Sequence, residues 1–239
     1  MPNQWFQFKQ FRVQQDKAAM KVCTDACLFG AWVADTILHN STGINNILDV
    51  GSGTGLLSLM LAQKTSAIID AVEIETSSAE QSRENFENSI WGNRLKVIEG
   101  DVRIFCTQKK YDVVVSNPPF FENHLKSANA KRNIALHDHS LHLNELILSA
   151  KRLLQQNGSF AVLVPYYSTD VFIEKAGENA FFVNQHVLVK QTEMHKYFRS
   201  MIWFSLLAGE TETQELTIKK EGKYSDQFAG LLEDYYLHL

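Results

Sequence analysis

The sequence lacks the features of membrane, secreted and metal-binding proteins. No stretch approaches the ~18 uninterrupted apolar residues that a membrane-spanning helix needs. The first residues show no basic segment followed by an apolar one, so we expect no secretory signal. Cysteine is scarce, and Cys23, Cys27 and Cys106 do not have the spacing of metal ligands. We therefore predict reduced core thiols in a cytoplasmic protein.

An excess of positive charge is also missing, since the formal net charge at pH 7 is −4. This balance disfavours a protein that coats nucleic acid non-specifically, but an enzyme needs only a local basic face to meet phosphates. Two local clusters of basic residues occur: Lys9, Arg12, Lys17 and Lys21 near the start of the chain, and Lys190, Lys196 and Arg199 further on. Each cluster is equally compatible with a solvated surface, and the sequence leaves the choice open.

What the sequence does contain, from residue 44 onward, is an alternation of short β-branched runs and longer amphipathic stretches. This alternation is typical of βαβ units, an α/β fold with helices on both faces of a mostly parallel sheet. We predict strands at residues 44–50, 67–74, 95–98, 111–116, 159–164, 181–189 and 201–207, and helices at 56–63, 77–88, 141–156 and 169–178. The last two strands follow each other without a helix. We therefore expect an antiparallel hairpin that closes one edge of a seven-stranded sheet.

Length and composition favour one domain over residues 1–239, because 45% hydrophobic and 21% charged residues are ordinary for a folded chain. Within it we distinguish an N-terminal segment (1–43), a core (44–209) and a tail (210–239). The tail begins with a polar stretch at 211–223. Its last part has apolar residues at helical spacing, which we expect to dock on the core: Phe228, Leu231, Leu232, Tyr235 and Tyr236.

The first strong motif is Asp-Val-Gly-Ser-Gly-Thr-Gly at residues 49–55, directly after the first core strand and at the start of a helix. Gly51, Gly53 and Gly55 let the backbone turn tightly and approach a ligand closely. A dinucleotide site prefers G-x-G-x-x-G, and here the third glycine comes one residue early. Asp49 would repel a pyrophosphate, but it suits the cationic methionine end of S-adenosylmethionine.

Two further acids follow the next strands. Glu73 ends the second core strand about twenty residues after the glycine turn, where a carboxylate can accept hydrogen bonds from both ribose hydroxyls of a nucleotide. Glu75 competes for this role, but Glu73 has the better register. Asp101, followed by Val102, comes after the third strand and can accept a hydrogen bond from an adenine amine. These acids alone do not distinguish S-adenosylmethionine from a nicotinamide cofactor.

The motif that indicates the chemistry is Ser-Asn-Pro-Pro-Phe at residues 116–120, at the end of the fourth core strand. Two of only four prolines stand here, and adjacent prolines stiffen the backbone while leaving carbonyls without neighbouring N–H donors. If Asn117 Oδ1 and the Pro118 carbonyl each accept one N–H of an exocyclic amine, its nitrogen lone pair turns toward the methyl group. We predict that Phe120 stacks on the displaced base.

These motifs, in this order, resemble those of class I (Rossmann-like) S-adenosylmethionine-dependent amino-methyltransferases, whose seven-stranded sheet ends in an antiparallel hairpin. More closely, the sequence resembles the bacterial family that methylates the 6-amino group of the adenine beside the anticodon of valine tRNA. The added resemblance is Phe-Lys-Gln-Phe at residues 8–11, Met-Lys-Val-Cys-Thr-Asp at 20–25 and Gly-Ala-Trp at 30–32. One departure is Cys23, where the family commonly has glycine, and we expect it to alter packing rather than abolish activity.

The resemblance implies an S-adenosylmethionine-dependent adenine-N6 methyltransferase, a cytoplasmic monomer that acts on the anticodon loop of tRNA without a metal. It carries Lys21 and Thr24 over as cofactor contacts. Residues 122–139 are too long for a simple link, and we interpret them as a mobile lid that contacts RNA phosphates. The residues expected to contact RNA are Lys9, Arg12, Lys131, Arg132 and His137.

Histidines in and after this segment do not change the expectation of no metal. His137, His139 and His142 do not by themselves complete a metal site.

Two other functions remain open on the sequence. The same chemistry could act on a guanine 2-amino group in ribosomal RNA or on a glutamine amide in a protein, because Asn-Pro-Pro-aromatic occurs in those families too. In a different class, the glycine turn could belong to a nucleotide-binding module or an NAD-dependent dehydrogenase that transfers no methyl group.

Overall fold

The computed structural model describes residues 3–18, 20–40, 43–119 and 143–239, and its centre is a twisted sheet with helices on both faces. The strands are β1 (Trp5–Gln7), β2 (Arg12–Gln14), β3 (Asn46–Val50), β4 (Ile68–Glu73), β5 (Leu95–Glu99), β6 (Tyr111–Ser116), β7 (Leu154–Pro165), β8 (Phe182–Thr192), β9 (Tyr197–Ser205), β10 (Glu212–Lys220) and β11 (Lys223–Tyr224). The helices are α1 (Thr24–Asn40), α2 (Leu56–Lys64), α3 (Thr76–Glu87), α4 (Leu143–Leu153), α5 (Thr169–Glu178) and α6 (Asp226–Leu232), with 3-10 turns at Gly92–Arg94 and Tyr166–Ser168.

The central strands are apolar on both sides because each face of the sheet is covered. In β6, Val113 and Val115 pack with α1 and α2, whereas Val114 packs with α4 and α5 on the other face. Parallel strands buried on both faces are near-continuous apolar runs for this reason. The predicted α/β fold with a mostly parallel sheet, helices on both faces and an antiparallel hairpin is confirmed.

The predicted number of strands is wrong. In the described residues the main sheet has nine strands in the order β11-β10-β8-β9-β7-β6-β3-β4-β5. The additional strand β10 lies in the stretch predicted as a polar tail and pairs parallel with β8. Only Leu216 and Ile218 of this strand are buried and its other residues are partly or fully exposed, so the apolar alternation is too short to stand out.

The position of the hairpin is also different from the prediction. Strands β8 and β9 pair antiparallel as expected, and β9 pairs antiparallel with β7. The edge beyond them is occupied by β10 and β11, so the hairpin lies inside the sheet and does not close it. The chain after β9 returns to pair beside β8, an arrangement that no local pattern near residues 211–223 indicates.

Helix α4 ends at Leu153, earlier than the predicted residue 156, and β7 starts at Leu154. The strand pairs Tyr111 with Leu154 and then shifts register before Ser159 pairs with Val113. At this irregularity a Cβ on Gly158 would lie 2.8 Å from Leu154 Cδ2 and 3.1 Å from the Tyr111 carbonyl oxygen. Gly158 therefore allows β6 and β7 to approach each other closely at this irregularity.

The N-terminal segment forms a small antiparallel hairpin of β1 and β2, followed by α1, none of which the sequence patterns predicted as elements. Phe8 and Phe11 stack at a centroid distance of 4.4 Å, and Phe11 meets Trp91 edge-on. This aromatic contact attaches the hairpin to the turn that follows α3. The segment is thus part of the folded core and not a loose arm.

Two of the three cysteines lie in the core or against it, and the third does not. All three thiols are free; Cys27 is buried, Cys23 is partly buried against the core, and Cys106 is exposed. Burial raises the pKa of both Cys23 and Cys27 to about 12, so these two stay protonated. Cys106 lies in the polar loop between β5 and β6, where little core surface is available.

The C-terminal tail packs on the core. Its apolar residues pack with α1 and α2, and Tyr235 donates a hydrogen bond from its hydroxyl to the Met60 carbonyl. Ser225 caps the start of α6 by accepting from the Phe228 N–H. Within the described ranges, none of the helices has the length and apolar content for crossing a bilayer.

This docking predicts that Phe228→Ala lowers the free energy of unfolding by about 3–5 kcal/mol, because Phe228 is fully buried and its removal leaves a cavity. Chemical denaturation followed by circular dichroism measures the loss. Leu237→Ala, at a residue that is 49% exposed, is the matched control and should stay within about 0.5 kcal/mol of the parent. Equal effects of the two substitutions would show that the tail is not anchored as described.

Candidate active site

The carboxyl ends of four neighbouring strands form one edge of the sheet, and the predicted site residues follow them. Val50 pairs with Ser116 on one side and with Val72 on the other. The next residues are therefore side by side: Asn117, Gly51 and Glu73. Adjacent strands lie about 4.8 Å apart, so the backbone of Asn117 is roughly one strand from Gly51 and two from Glu73. Ligands of open α/β sheets bind at this edge.

The glycine turn connects β3 to α2. Gly51, Gly53 and Gly55 have positive φ angles of 73°, 56° and 78°, the left-handed region in which side chains are strained. A Cβ on Gly51 or Gly53 would meet no atom within 4 Å, so the turn borders open space. On Gly55 a Cβ would lie 2.5 Å from a Phe86 ring carbon. The first two glycines leave room for a ligand, while Gly55 allows the turn to pack on α3.

Asp49 is a fully buried carboxyl group directly behind this turn. Its Oδ2 accepts a hydrogen bond of 2.7 Å from the Ser58 hydroxyl, and its Oδ1 is buried with no hydrogen-bond partner among the described residues. Burial raises the pKa of Asp49 to about 7, with a smaller contribution from Glu73. An orphaned carboxylate oxygen behind an open glycine turn fits the cationic methionine end of S-adenosylmethionine.

Glu73 is fixed at the end of β4 by backbone donors. Its Oε2 accepts from the Gly53 N–H at 2.8 Å and its Oε1 from the Glu75 N–H at 3.0 Å. Each oxygen keeps a lone pair for a ribose hydroxyl. The competing Glu75 instead caps α3 through the N–H groups of Ser77 and Ser78, and the Ser77 hydrogen bond is the main cause that lowers the pKa of Glu75 to about 2.

Asp101 and Val102 lie just after β5, and Gly100 donates its N–H to the Glu73 carbonyl at 2.8 Å. Both Asp101 oxygens accept from the Arg103 Nε, which lowers the pKa of Asp101. The two-residue spacing of Asp101 and Arg103 is the only sequence feature that indicates this ion pair. Val102 is buried, so at this loop the carboxylate is the group nearer solvent.

Asn117 and Pro118 continue β6 beyond the sheet. The Ser116 hydroxyl donates to the Val50 carbonyl at 2.8 Å, which fixes the end of β6 to the strand that enters the glycine turn. Asn117 is partly exposed, Pro118 is buried and Pro119 is exposed. Pro118 thus anchors the segment while the Asn117 side chain stays partly accessible to a ligand.

Sequence reasoning missed the polar face of α3, which holds the glycine turn. Ser82 donates from its hydroxyl to the Gly53 carbonyl at 2.9 Å, and the buried Asn85 donates from Nδ2 to the Thr54 carbonyl at 2.8 Å. Asn85 also exchanges hydrogen bonds with the Gln14 backbone in both directions. Residues 78, 82 and 85 share a helical face, which is the available signal, but a polar face is usually solvated.

The predicted contacts of the N-terminal segment are placed in different regions. Thr24 is exposed at the start of α1, and the next residue, Asp25, pairs with Arg199 on β9 at 2.8 Å. Lys21 donates from Nζ to the Asn3 carbonyl. Arg12 lies on the hairpin with its guanidinium 4.4 Å from the centre of the Trp5 ring.

Lys9 lies away from the carboxyl edge. Its Nζ donates to the Glu233 carbonyl, and the adjacent Asp234 pairs with Lys64, the last residue of α2. Helix α2 starts at the glycine turn and runs back along the sheet for about 13 Å. Phe120, Lys131, Arg132, His137, His139 and His142 lie outside the described residues, as does the interpreted lid. Where the chain is described, no cluster of His, Cys, Asp and Glu could hold a metal ion.

Comparisons with known proteins bear on this site. The family model of the methyltransferase small domain matches residues 30–170. A tRNA1(Val) (adenine(37)-N6)-methyltransferase from Cytophaga hutchinsonii is 41% identical over the whole of both chains. A "predicted O-methyltransferase" from Agrobacterium tumefaciens has a similar fold, with a TM-score of 0.67 at 16% identity over 88% of this chain and 96% of that one. The glycopeptide N-methyltransferase MtfA, solved with S-adenosylmethionine, has a TM-score of 0.55 at 13% identity over 75% of this chain and 88% of that one.

The raised pKa of Asp49 predicts that binding of S-adenosylmethionine depends on pH. Affinity for S-adenosylmethionine should rise as the pH increases through about 7, because only the ionised carboxylate attracts the cation. Asp49→Asn should lose this rise and bind about tenfold more weakly at pH 8. Isothermal titration calorimetry of both proteins across this pH range gives the ratio of affinities, which cancels the titration of the cofactor itself.

Thermal unfolding without cofactor gives a second readout. Since the folded-state pKa of Asp49 lies above its usual value near 4, the protein should lose stability relative to the Asn variant as the pH rises from about 4 through about 7. If the parent and Asp49→Asn have the same ratio of affinities for S-adenosylmethionine at every pH, Asp49 does not attract the cofactor's positive charge.

Proposed function

The chain belongs to the tRNA1(Val) (adenine(37)-N6)-methyltransferase family, and we propose that it transfers a methyl group from S-adenosylmethionine to the 6-amino group of adenine 37 in a valine tRNA. The structural observation that supports this activity is the register at the carboxyl edge of the sheet. Asn117 and Pro118 directly follow β6, which pairs with β3, and the glycine turn directly follows β3, with Asp49 behind that turn. A rigid pair of acceptors thus stands beside the expected position of the methyl donor.

The acceptors prepare the adenine amine for reaction. Its nitrogen lone pair is delocalised into the ring, which makes it a poor nucleophile. In the proposed complex Asn117 Oδ1 and the Pro118 carbonyl each accept one N–H, so the nitrogen becomes more tetrahedral and its lone pair is less delocalised into the ring and turns toward the methyl group. When bound, S-adenosylmethionine would supply an electrophilic methyl group, whose bond to sulfur breaks so that S-adenosylhomocysteine leaves. Positioning by the chain then accounts for much of the rate, and the extra proton on nitrogen passes to water.

The cofactor is held, in this proposal, by residues at or just after the carboxyl ends of β3, β4 and β5. Asp49 and the glycine turn face the methionine part, Glu73 binds the ribose hydroxyls, and Asp101 with Val102 meets the adenine. Thr24 and Lys21 complete the methionine side. The hydrogen bonds of Ser82 and Asn85 to the turn keep its carbonyls from rotating into the space that the cofactor needs.

The RNA is held by groups around this edge. We propose that Phe120 stacks on the target base and that Arg12, Lys131, Arg132 and His137 contact the RNA backbone, with Lys9 as a more distant contact. An unpaired base of the anticodon loop costs less to place than one taken from a duplex. In this proposal the enzyme acts as a monomer in the cytoplasm and needs no metal.

The activity predicts label transfer to tRNA. Purified protein with methyl-labelled S-adenosylmethionine and fractionated RNA should label tRNA, and nuclease digestion with mass spectrometry should find 6-methyladenosine in the valine isoacceptor. A valine tRNA transcript with guanine in place of adenine 37 is the matched control and should stay unlabelled. Label in ribosomal RNA or in protein would favour the other amine acceptors, and binding of NADH without S-adenosylmethionine would exclude this enzyme class.

The acceptor role of Asn117 has its own test. Asn117→Ala should reduce kcat by at least about a hundredfold, in the range found when a single oxyanion-hole donor is removed, while affinity for S-adenosylmethionine stays within about twofold. Single-turnover kinetics and calorimetry measure the two quantities. Asn93→Ala, at an exposed residue in the turn before β5, should leave both unchanged. If the Asn117 variant keeps most of its rate, the amine is held by other groups.

A further inference from the structure

Three tyrosines form a surface cluster at the carboxyl edge of the sheet. Tyr166 and Tyr167 follow β7 directly in a 3-10 turn, and Tyr197 opens β9 beside them. The rings of Tyr166 and Tyr197 are 5.1 Å apart at an angle of 48°. We call these three residues the tyrosine patch. None of them belongs to the cofactor site described above.

Two of the three rings in the tyrosine patch are well exposed to solvent. Tyr166 is 42% and Tyr167 66% exposed, and the neighbouring Met194 is 93% exposed at the tip of the β8–β9 hairpin. Single exposed apolar side chains are ordinary, but adjacent exposed aromatic rings mark interaction sites. Tyrosine offers a flat apolar face with little side-chain entropy to lose, which suits stacking on another planar group.

The charges around the patch are mostly compensated. Lys190 pairs with Glu215 at 3.0 Å and lies 4.3 Å from the centre of the Tyr197 ring, while Arg199 pairs with Asp25. Of this basic cluster only Lys196 forms no ion pair in the described part of the chain, and it is exposed. Lys196 can therefore neutralise one phosphate group. Binding at this surface therefore depends on stacking rather than on a field of positive charge.

The patch is close to the proposed acceptors. Ser116 pairs with Val162, so Asn117 lies beside Leu163, three residues before Tyr166. At about 3.3 Å per residue and 4.8 Å per strand, Tyr166 is roughly 11 Å from Asn117. By the same arithmetic Tyr197, on the second strand from β6, is roughly 16 Å away. A nucleotide that flanks the target base would reach this distance.

We propose that the tyrosine patch is a stacking subsite for an unpaired nucleotide that flanks the methylated adenine in the RNA substrate. This proposal rests on the proposed function and adds to it a second point of attachment. Stacking is tolerant of base identity because every base has a π face, so the patch contributes affinity and orientation rather than the choice of base. Lys196 contacts the phosphate of the same nucleotide.

Steady-state kinetics on a valine tRNA transcript test the subsite. Tyr167→Ala should raise KM about tenfold with kcat within about twofold, and the double substitution of Tyr166 and Tyr167 by Ala should raise it further. Tyr167→Phe should keep the parent KM, since a phenyl ring also stacks. The salt dependence of binding should be unchanged in Tyr167→Ala and shallower by about one unit in Lys196→Ala, because only the lysine releases a counterion.

The matched control is Phe182→Ala, at an aromatic residue that is also 42% exposed but lies at the amino end of β8, on the opposite edge of the sheet. It should leave KM for tRNA unchanged, and all variants should bind S-adenosylmethionine like the parent. An unchanged KM in the double variant, with an active parent, overturns the subsite while the proposed function stands. If the parent protein methylates no RNA, the proposed function itself is wrong. A changed mass in solution with unchanged KM would assign the patch to contact between protein copies.

Discussion

The site depends on the parallel pairing of β3 with β6. Because Val50 is in register with Ser116, both strands end in the same row, and the Ser116 hydroxyl bonds to the Val50 carbonyl across them. A shift of one residue would turn Asn117 to the other face of the sheet. The apolar runs of both strands are buried on both faces, so the same packing that stabilises the fold also fixes the distance between the glycine turn and the acceptor pair.

Several polar groups are buried around the glycine turn, and burial of a polar group lowers stability unless the group is hydrogen-bonded. Asp49 is buried with one oxygen that has no hydrogen-bond partner among the described residues, and Gln81, Ser82 and Asn85 bury polar groups on one face of α3. The polar groups of α3 are hydrogen-bonded, so they cost little and specify one position for the turn. Asp49 is the exception, and an unsatisfied buried carboxyl is destabilising unless a ligand completes it. A binding site explains its presence better than a structural role does.

Many residues of the candidate site could be predicted from the sequence because they occur in motifs whose residue types and spacing are typical of ligand binding. Glycines at 51, 53 and 55 after an acid, and two adjacent prolines after Asn117, are rare enough to be informative without tertiary contacts. The sequence failed where burial depends on distant partners. Strand β10 has only two buried apolar residues, and α3 has a polar face that meets backbone carbonyls. The tyrosine patch could not be predicted either, because the sequence does not show which tyrosine side chains are exposed.

The account is tested most directly by a crystal structure of the complex with S-adenosylhomocysteine and an RNA loop that carries the target adenine. Our account predicts that the adenine 6-amino group donates hydrogen bonds of about 2.9 Å to Asn117 Oδ1 and to the Pro118 carbonyl, with the cofactor sulfur facing the same nitrogen beyond the glycine turn. An amine bound by other groups, or a cofactor placed away from Gly51 and Gly53, would contradict it.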